Sequence, residues 1–297
     1  MAKRVGFIAI VGRPNVGKST LMNRILGQKI SITSRRPQTT RHCIFGIKTT
    51  ERAQFIYLDT PGLHKQAKRA MNRYMNRTAS QTLHDADVVL FLLEGDRWSE
   101  DDELVAGKLR QVKAPVVVAI NKLDKLKHKD ALLPRMAHLQ ELLAPAEIIP
   151  VSARTGRNVG LLEQTIEQYL PESHPLFPDD QVTNRSERFL AAEIIREKLM
   201  RNLGDELPFS LTVEIEHFKE EKDLLRLGAL IWVERKGQKA IVIGKGGEKL
   251  KQIGSQARLE LETLFDRKVF LELWVRVKEG WSDDIRALRS LGYGDDE

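Results

Sequence analysis

The sequence predicts an α/β domain with a mainly parallel, doubly wound sheet, followed by a smaller α+β domain. Short apolar runs alternate with helical patterns over the first 170 or so residues, and prolines then stand at 171, 175 and 178. Alternating strands and helices favour a parallel sheet. After the prolines the order becomes helix, strand, strand, helix, strand. The predicted divisions are 1–172, a linker at 173–183, 184–280, and a C-terminal segment at 281–297.

The apolar runs of the first domain predict strands at Val5–Val11, Phe55–Leu58, Val88–Leu93, Val116–Ile120 and Ile148–Val151. Helical patterns cover Gly17–Leu26, Met71–Leu83 and Asp101–Lys113. The functional loops of such a sheet are expected at the carboxyl ends of its strands.

The second domain begins with a predicted helix at Ser186–Asn202, and strands follow at Leu211–Phe218 and Gly228–Glu234. Lys236 and Gly237 predict a turn into Ala240–Ile243. A helix follows, because Leu250, Ile253, Ala257, Leu261 and Leu264 recur at helical spacing and form one face. Phe270–Lys278 alternates as a strand.

Composition narrows the class of partner. The 297 residues include 48 Lys and Arg against 41 Asp and Glu, a net charge of +7. This excess favours a polyanionic partner, with nucleic acid first and an anionic membrane surface second; a basic enzyme without such a partner is the alternative. Cys43 is the single cysteine, which fits a reducing compartment. The apolar runs are too short to span a bilayer and no secretory signal is seen, so a cytoplasmic location is predicted.

A phosphate-binding loop follows the first strand. The match to G-x-x-x-x-G-K-[ST] comprises Gly12, Arg13, Pro14, Asn15, Val16, Gly17, Lys18 and Ser19, with Thr20 next in the helix. Backbone N–H groups and the helix N-terminus favour phosphate. Lys18 is expected to reach the β- and γ-phosphates, and Ser19 to be a Mg²⁺ ligand. The motif therefore predicts a P-loop domain that binds a nucleoside triphosphate.

Two further segments complete the predicted phosphate site. Asp59, Thr60, Pro61 and Gly62 form D-x-x-G after a strand; Asp59 would hold Mg²⁺ through water, and the Gly62 N–H would contact the γ-phosphate. The polar switch loop comprises Gln38, Thr39, Thr40, Arg41 and His42. A threonine here completes Mg²⁺ coordination when GTP is bound, and Thr40 is favoured over Thr39. The Arg and His side chains are expected to be mostly solvated.

Guanine specificity is predicted by Asn121, Lys122 and Asp124, which form N-K-x-D after another strand. The Asp124 carboxylate accepts two hydrogen bonds from guanine, whereas adenine lacks that donor pair. Asn121 would brace the loop and contact the base edge, and the Lys122 stem would cover the ring. Ser152 and Ala153 begin a loop that supplies a backbone N–H to guanine O6. The set predicts GTP as substrate and GDP as product.

Leu63 occupies the position after D-x-x-G where many GTPases place a water-orienting glutamine. Either another group positions the water, or hydrolysis is slow until a partner supplies such a group. Lys18, Thr40 and Gly62 are the candidate catalytic residues. Asn15 is a candidate K⁺ ligand, and a bound K⁺ would stabilise charge as an arginine finger does. The alternative is that Asn15 only shapes the loop.

A second motif, G-x-x-G, lies in the smaller domain and resembles the loop of KH domains. The predicted RNA-binding residues are Ile243, Gly244, Lys245, Gly246, Gly247, Lys249 and Lys251. Such a loop between an apolar strand and a helix lets a nucleic-acid backbone approach closely. Single-stranded RNA binding is predicted, and the helix-first order indicates a type II KH domain with bases beside the Leu250–Leu264 helix.

The chain resembles the Era family of bacterial GTPases over essentially its whole length. The resemblance is carried by the segments GRPNVGKS, QTTRH, DTPG, NKLD, SAR and VIGKGG. The resemblance implies a switch in small (30S) ribosomal subunit assembly that binds the 3′ end region of 16S ribosomal RNA through its KH domain. It also implies weak peripheral association with the inner membrane and a C-terminal segment that lies near the RNA. Leu63 fits the family, because its members lack the glutamine at this position. No obligate protein partner is inferred.

Two alternatives to the RNA-binding switch stay open from sequence. One is a membrane-surface signalling GTPase whose KH-like domain binds protein. The other is a nucleic-acid-binding scaffold that binds GTP but barely hydrolyses it.

Overall fold

A computed structural model describes residues 3–34, 36, 38–62, 69–95, 97–126, 130, 132–204, 210–291 and 293. Its internal contacts divide the chain into two units, Met1–Ala67 with Asn72–Asn184, and Lys68–Met71 with Arg185–Glu297. The finer division drawn from the sequence stays a prediction.

The first unit is the predicted α/β domain. Its strands are β1 (Lys3–Val11), β2 (Ile44–Thr49), β3 (Ala53–Asp59), β4 (Val88–Glu94), β5 (Val116–Asn121), β6 (Glu147–Pro150) and β7 (Glu172–Ser173). The helices between them are α1 (Lys18–Leu26), α2 (Ala70–His84), α3 (Glu100–Leu109), α4 (Leu132–Leu143) and α5 (Val159–Tyr169). The sheet order is β2-β3-β1-β4-β5-β6, with β7 paired to β1.

Strand direction places the predicted loops at one edge of this sheet. The pairs β1–β3, β1–β4, β4–β5 and β5–β6 are parallel, whereas β2 runs antiparallel to β3. Every residue of Val88–Leu93 in the central β4 is fully buried, as expected for a strand covered on both faces. The loops after β1, β3, β5 and β6 therefore meet at the carboxyl edge. The sequence missed β2, β7, α4 and α5.

The second unit has the predicted helix-first order. Its elements are α6 (Glu187–Asn202), β8 (Leu211–Glu221), β9 (Leu224–Val233), α7 (Lys236–Ile243), α8 (Glu248–Phe265), β10 (Lys268–Val277) and α9 (Ile285–Ser290). In its sheet, β8 is antiparallel to β9 and β10 is parallel to it. Ile253, Ala257 and Leu261 are buried in the core, with Leu250 and Leu264 packed against it. The predicted apolar face of α8 is confirmed.

The predicted turn at Lys236 and Gly237 is wrong, because these residues begin the helix α7. The Gln238 side-chain oxygen accepts hydrogen bonds from the backbone N–H groups of Glu234 at 2.8 Å and Arg235 at 3.0 Å. This contact satisfies donors that precede the first turn, and it stabilises a helix start despite the glycine. The G-x-x-G loop consequently lies between two helices, and no strand precedes it directly.

The proline-containing segment packs on the first unit. The buried Gln54 donates to the Phe177 carbonyl at 2.8 Å and accepts from the Leu176 N–H at 2.7 Å. Further along, the Ile47 N–H donates to the Val182 carbonyl at 2.9 Å. The segment therefore follows the edge formed by β2.

The segment after β10 is a packed part of the second unit, although its sequence shows only scattered apolar positions. Trp281 and Tyr293 are buried and stack with ring centroids 6.2 Å apart. The Tyr293 hydroxyl lies 2.9 Å from that of Thr212, and Trp281 Nε1 donates to the Ser210 carbonyl at 3.3 Å. Aromatic packing thus orders a segment without regular hydrophobic spacing.

Truncating Leu261→Ala should lower the free energy of unfolding of the second unit by about 2–5 kcal/mol, because the buried side chain would leave a cavity. Urea denaturation in a Trp98→Phe background would follow this unit through Trp232, Trp274 and Trp281. Leu259→Ala is the matched control, since Leu259 lies on the same helix and is 58% exposed. Equal midpoints for the two variants would contradict the assigned core face.

Candidate functional site

The phosphate loop joins β1 to α1 and curls where the predicted motif requires it. Gly17 has a φ of 111°, and a Cβ at this position would lie 2.4 Å from Asn121 Nδ2. Only glycine avoids both the backbone strain and this collision. Asn15 also has a left-handed backbone, with a φ of 63°, and its residue is exposed. The N-terminus of α1 begins at Lys18, directly after the loop.

Lys18 lies buried beneath this loop. Its Nζ donates to the carbonyls of Gly12 at 2.9 Å and Arg13 at 3.1 Å. Burial lowers the pKa of Lys18 to about 8, and Asp59 acts in the opposite direction. The ammonium is therefore held at the loop with incomplete charge compensation, which is the state in which an added anion binds most favourably.

Asp59, at the end of β3, gathers three hydroxyl groups around one carboxylate oxygen. Its Oδ2 accepts hydrogen bonds from Ser31 at 2.6 Å, Ser19 at 2.7 Å and Thr40 at 3.3 Å. The Ser19 and Thr40 hydroxyls are 3.0 Å apart. Burial raises the pKa of Asp59, although these hydrogen bonds and Lys18 oppose the shift.

The Asp59 carboxylate and the hydroxyls around it have the chemistry of a metal site. Asp59 Oδ1 is buried and has no hydrogen-bond partner among the residues that the structure describes. An orphaned carboxylate oxygen beside the Ser19 and Thr40 hydroxyls matches the hard oxygen donors that Mg²⁺ prefers. The donor set fits the ion.

The switch loop separates its two threonines. Thr40 joins the Asp59 cluster, whereas the Thr39 hydroxyl donates to the Arg36 carbonyl at 2.7 Å. The expectation that the Arg and His side chains of this loop are mostly solvated is wrong for Arg41 and His42, which are buried. His42 packs edge-on against Tyr74 of α2, with ring centroids 6.3 Å apart, so this contact helps to remove His42 from water.

A cavity opens where the phosphate loop, the switch loop and the D-x-x-G segment meet, and it is lined in part by Asn15, Lys18, Ser19, Thr40 and Gly62. A Cβ at Gly62 would lie 3.0 Å from Pro14 Cγ, so a side chain here would press on the phosphate loop. The Thr60 hydroxyl donates to the Ile10 carbonyl at 2.9 Å. Leu63, the position of the missing glutamine, lies outside the described residues.

The base-side loops are tied together through Asn121. Its Nδ2 donates to the Val16 carbonyl at 2.9 Å, and its Oδ1 accepts the Ala153 N–H at 2.9 Å. The side chain is buried and links the phosphate loop to the loop after β6. Asn121 therefore connects the two loops by one hydrogen bond to each.

Asp124 is held as an acceptor. Its Oδ1 accepts from the Ser152 hydroxyl at 2.6 Å, and Arg154 lies 2.9 Å from its Oδ2. The Ser152 hydrogen bond, with Arg154, holds the pKa of Asp124 below its usual value. An ionised carboxylate fixed in this way suits a ligand edge that presents two N–H donors.

Sequence reasoning missed Ser31, Glu94 and Asp102. Glu94 pairs with both Arg13 and Lys122, and Asp102 Oδ2 lies 3.3 Å from Arg13 Nε. The available signal was an acidic residue that ends the apolar run of β4 at the functional edge. Ser31 gave no such signal, because it lies in an irregular segment without a motif.

The G-x-x-G loop borders a groove on the second unit. Gly244, Gly246 and Gly247 have φ values of 75°, 60° and 82°. Lys245 and Lys251 are exposed, while Lys249 and Ile243 are partly buried. The groove is lined by Gly247, Leu250, Lys251, Gly254, Ser255, Arg258, Leu271 and Leu273. An apolar floor with Lys and Arg at its side suits unstacked bases on a phosphate backbone.

The first unit therefore has the fold and the loops of a P-loop GTPase, and the second has those of a KH domain. A model of the 50S ribosome-binding GTPase family matches residues 7–122, and a KH-domain model matches residues 206–282.

Full-length relatives identify the family. The chain is 58% identical to GTPase Era of Pseudomonas aeruginosa over 98% of this chain and 96% of that protein. It is 57% identical to GTPase Era of Pseudomonas fluorescens over 99% of this chain and 98% of that protein. The chain belongs to the Era GTPase family and is a GTP-binding GTPase.

Solved structures of this family share the whole architecture. A single-residue variant of Aquifex aeolicus Era bound to GDP·AlF4⁻ is 41% identical, with a TM-score of 0.94 over 98% of this chain and 99% of that one. Era in complex with MgGDPNP and nucleotides 1506–1542 of 16S ribosomal RNA is also 41% identical, with a TM-score of 0.95 over the same shares. The predicted fold classes of both domains are confirmed.

The affinity for GDP should fall as pH rises above about 8, the pKa of Lys18 in the free protein. Phosphate favours the protonated amine, so binding above this pH takes up a proton, and affinity drops by up to about tenfold per pH unit. Calorimetry in buffers of different ionisation enthalpy would measure that uptake.

The pKa of Lys122 is also lowered to about 8, first by its burial, so Lys122→Arg is the control. Proton uptake that persists in this variant belongs to Lys18. Uptake that disappears in Lys122→Arg would contradict the assignment.

Proposed function

We propose that this protein is a GTP-dependent switch that binds the 3′ end of 16S ribosomal RNA and acts in 30S subunit assembly. The groove beside the G-x-x-G loop is the observation that carries the proposal. The Era structure in complex with nucleotides 1506–1542 of 16S ribosomal RNA is similar to this chain over nearly its whole length, and it supports the choice of RNA.

The phosphate end of the site would bind the β- and γ-phosphates and one Mg²⁺. Lys18 leaves its two carbonyl partners to meet phosphate oxygens, and the backbone N–H of Gly62 meets the γ-phosphate. Ser19 and Thr40 would be direct Mg²⁺ ligands, with Asp59 holding the ion through water. The ion neutralises charge that develops on the phosphates during hydrolysis. Lys18, Thr40 and Gly62 are thus the proposed catalytic residues.

The base end would select guanine. Asp124 is already ionised and oriented by Ser152, so it accepts the guanine N1–H and 2-amino group without rearrangement. Arg154, which is largely exposed, moves aside from Asp124 Oδ2. Ala153 and Asn121 complete the pocket, and Lys122 covers the ring. Adenine would leave the carboxylate unpaired, at a cost that excludes it.

A monovalent cation would assist hydrolysis. Asn15 lines the phosphate cavity, and it is an exposed residue with a left-handed backbone. Its amide oxygen is a suitable K⁺ ligand, and the ion would stabilise transition-state charge as an arginine finger does. The cation proposal rests on Asn15 and Leu63 occurring together, because Leu63 cannot orient water and the usual hydrolytic route is therefore missing.

GTP hydrolysis should be faster in potassium than in sodium, and Asn15→Gly should remove the difference. Glycine adopts a φ near 63° without strain, so this variant deletes the amide and keeps the loop. Single-turnover hydrolysis with the RNA present, at equal ionic strength, is the measurement. Equal wild-type rates in both salts would overturn the cation proposal and leave the GTPase assignment intact.

Gly246→Asp should abolish binding to an RNA that ends in the 3′ sequence of 16S ribosomal RNA. No heavy atom lies within 4 Å of a Cβ at Gly246, and Asp tolerates left-handed backbone. The loss would therefore come from repulsion of the phosphate backbone. Fluorescence anisotropy over a salt series would measure it, with weaker wild-type binding expected at higher salt.

Gly27→Asp is the matched control, because Gly27 has a φ of 71° and equally open surroundings, in the first unit. Retained RNA binding by Gly246→Asp would overturn the groove assignment. Binding of vesicles or a protein by the second unit in place of RNA would favour a membrane-surface signalling GTPase.

Residence in the cytoplasm, with weak peripheral association with the inner membrane, is the location we propose. Within the described part of the chain, each helix falls short of the length and apolar character needed to cross a bilayer. The net charge of +7 would support contact with anionic lipid or RNA.

A further inference from the structure

One carboxylate connects the two halves of the nucleotide site. Glu94, the last residue of β4, forms ion pairs with Arg13 of the phosphate loop and with Lys122 of N-K-x-D. The Glu94 side chain is only 14% exposed. A mostly buried carboxylate between two cations gains more from each contact than an exposed ion pair does.

The partners of Glu94 are themselves tied to the site. Lys122 Nζ also donates to the Asn15 carbonyl at 2.9 Å, and Arg13 Nε lies 3.3 Å from Asp102 Oδ2. Asp102 is fully buried and fixed by the capping box that begins α3. Arg13 is therefore anchored to α3 on one side, and Glu94 joins that anchor to Lys122.

This network is separate from the hydroxyl cluster. Asp59 accepts its hydrogen bonds from Ser19, Ser31 and Thr40, whereas Glu94 receives those of Arg13 and Lys122. A change at Glu94 thus acts on the side chains of Arg13 and Lys122, and Lys122 is the residue proposed to cover the base. It leaves the donors at the γ-phosphate end in place.

We propose that Glu94 is a positioning residue for guanine-nucleotide binding. Its carboxylate holds the Lys122 side chain over the base and against the phosphate loop. The inference rests on the proposed nucleotide site. Without the carboxylate, the Lys122 ammonium loses its charged partner and retains the neutral Asn15 carbonyl. Its four-carbon stem then regains rotamer freedom that nucleotide binding must remove.

Glu94→Gln should weaken the binding of GDP and of a non-hydrolysable GTP analogue by the same factor, about tenfold for a lost charge-assisted contact. Stopped-flow measurement of the association and dissociation rates of fluorescent GDP and the GTP analogue gives both affinities. Glu103→Gln is the matched control, because Glu103 lies on α3 and is half exposed, with Arg110 as its ion-pair partner.

A double-mutant cycle separates positioning from general loosening of the fold. Lys122→Met alone should weaken binding, and Lys122→Met added to Glu94→Gln should weaken it little further, because Glu94 acts through Lys122. Glu94→Asp should restore part of the affinity, since it keeps the charge on a shorter side chain. Thermal unfolding of the nucleotide-free variants shows that each is folded.

The inference would be overturned if Glu94→Gln bound nucleotide as tightly as Glu103→Gln. It would also be overturned if the loss of affinity were confined to the GTP analogue, or if the effects of Glu94→Gln and Lys122→Met on binding were fully additive. A wild-type protein whose phosphate loop bound no guanine nucleotide would instead overturn the proposed site. If Glu94→Gln fails to fold, Glu94→Asp and Lys122→Met are compared with the wild type in the same assays, and unchanged affinity in both contradicts the proposal.

Discussion

The buried carboxylate of Asp59 is the constraint on which the phosphate end of the site depends. Its burial raises its pKa, and one of its oxygens lacks a partner among the described residues. A charge in that position is unfavourable unless a cation completes it. The hydroxyls of Ser19, Ser31 and Thr40 converge on the other oxygen, so three segments distant in sequence are brought together by one group.

The backbone conformation of the phosphate loop and the hydrogen bonds of Asn121 connect this end of the site to the base end. Gly17 lets the phosphate loop approach Asn121 closely, and Asn121 in turn bonds to Val16 and Ala153. These contacts are neutral hydrogen bonds within a buried region, where geometry is strict. The charged contacts of Glu94 lie beside them and act on longer side chains. The site is thus held by two kinds of interaction, of which the neutral one fixes the loops.

The motifs could be predicted from sequence because each has a local cause. Glycines, a strand before and a helix after give the phosphate loop, and the 3.6-residue period of Ile253, Ala257 and Leu261 gives α8. What failed had two different causes. The helix at Lys236 follows from a local contact of Gln238 at the helix start, which the adjacent glycine obscured. The burial of Arg41 follows from packing that no local pattern encodes. The acidic end of β4 is visible in the sequence, but the partners of Glu94 are not, because Arg13 and Lys122 lie 81 and 28 residues away.

The proline-containing segment at the end of the first unit is held by β2 and β3, the two strands that also lie next to the nucleotide site. β3 ends at Asp59, and β2 begins at Ile44, soon after the switch loop. Gln54 of β3 binds the backbone at Leu176 and Phe177, and Ile47 of β2 binds Val182. Phe177 also packs edge-on against Phe45, with centroids 6.4 Å apart. These contacts fix the proline-containing segment to β2 and β3, the strands next to the switch loop. Its three prolines help, because they leave few backbone conformations to restrict.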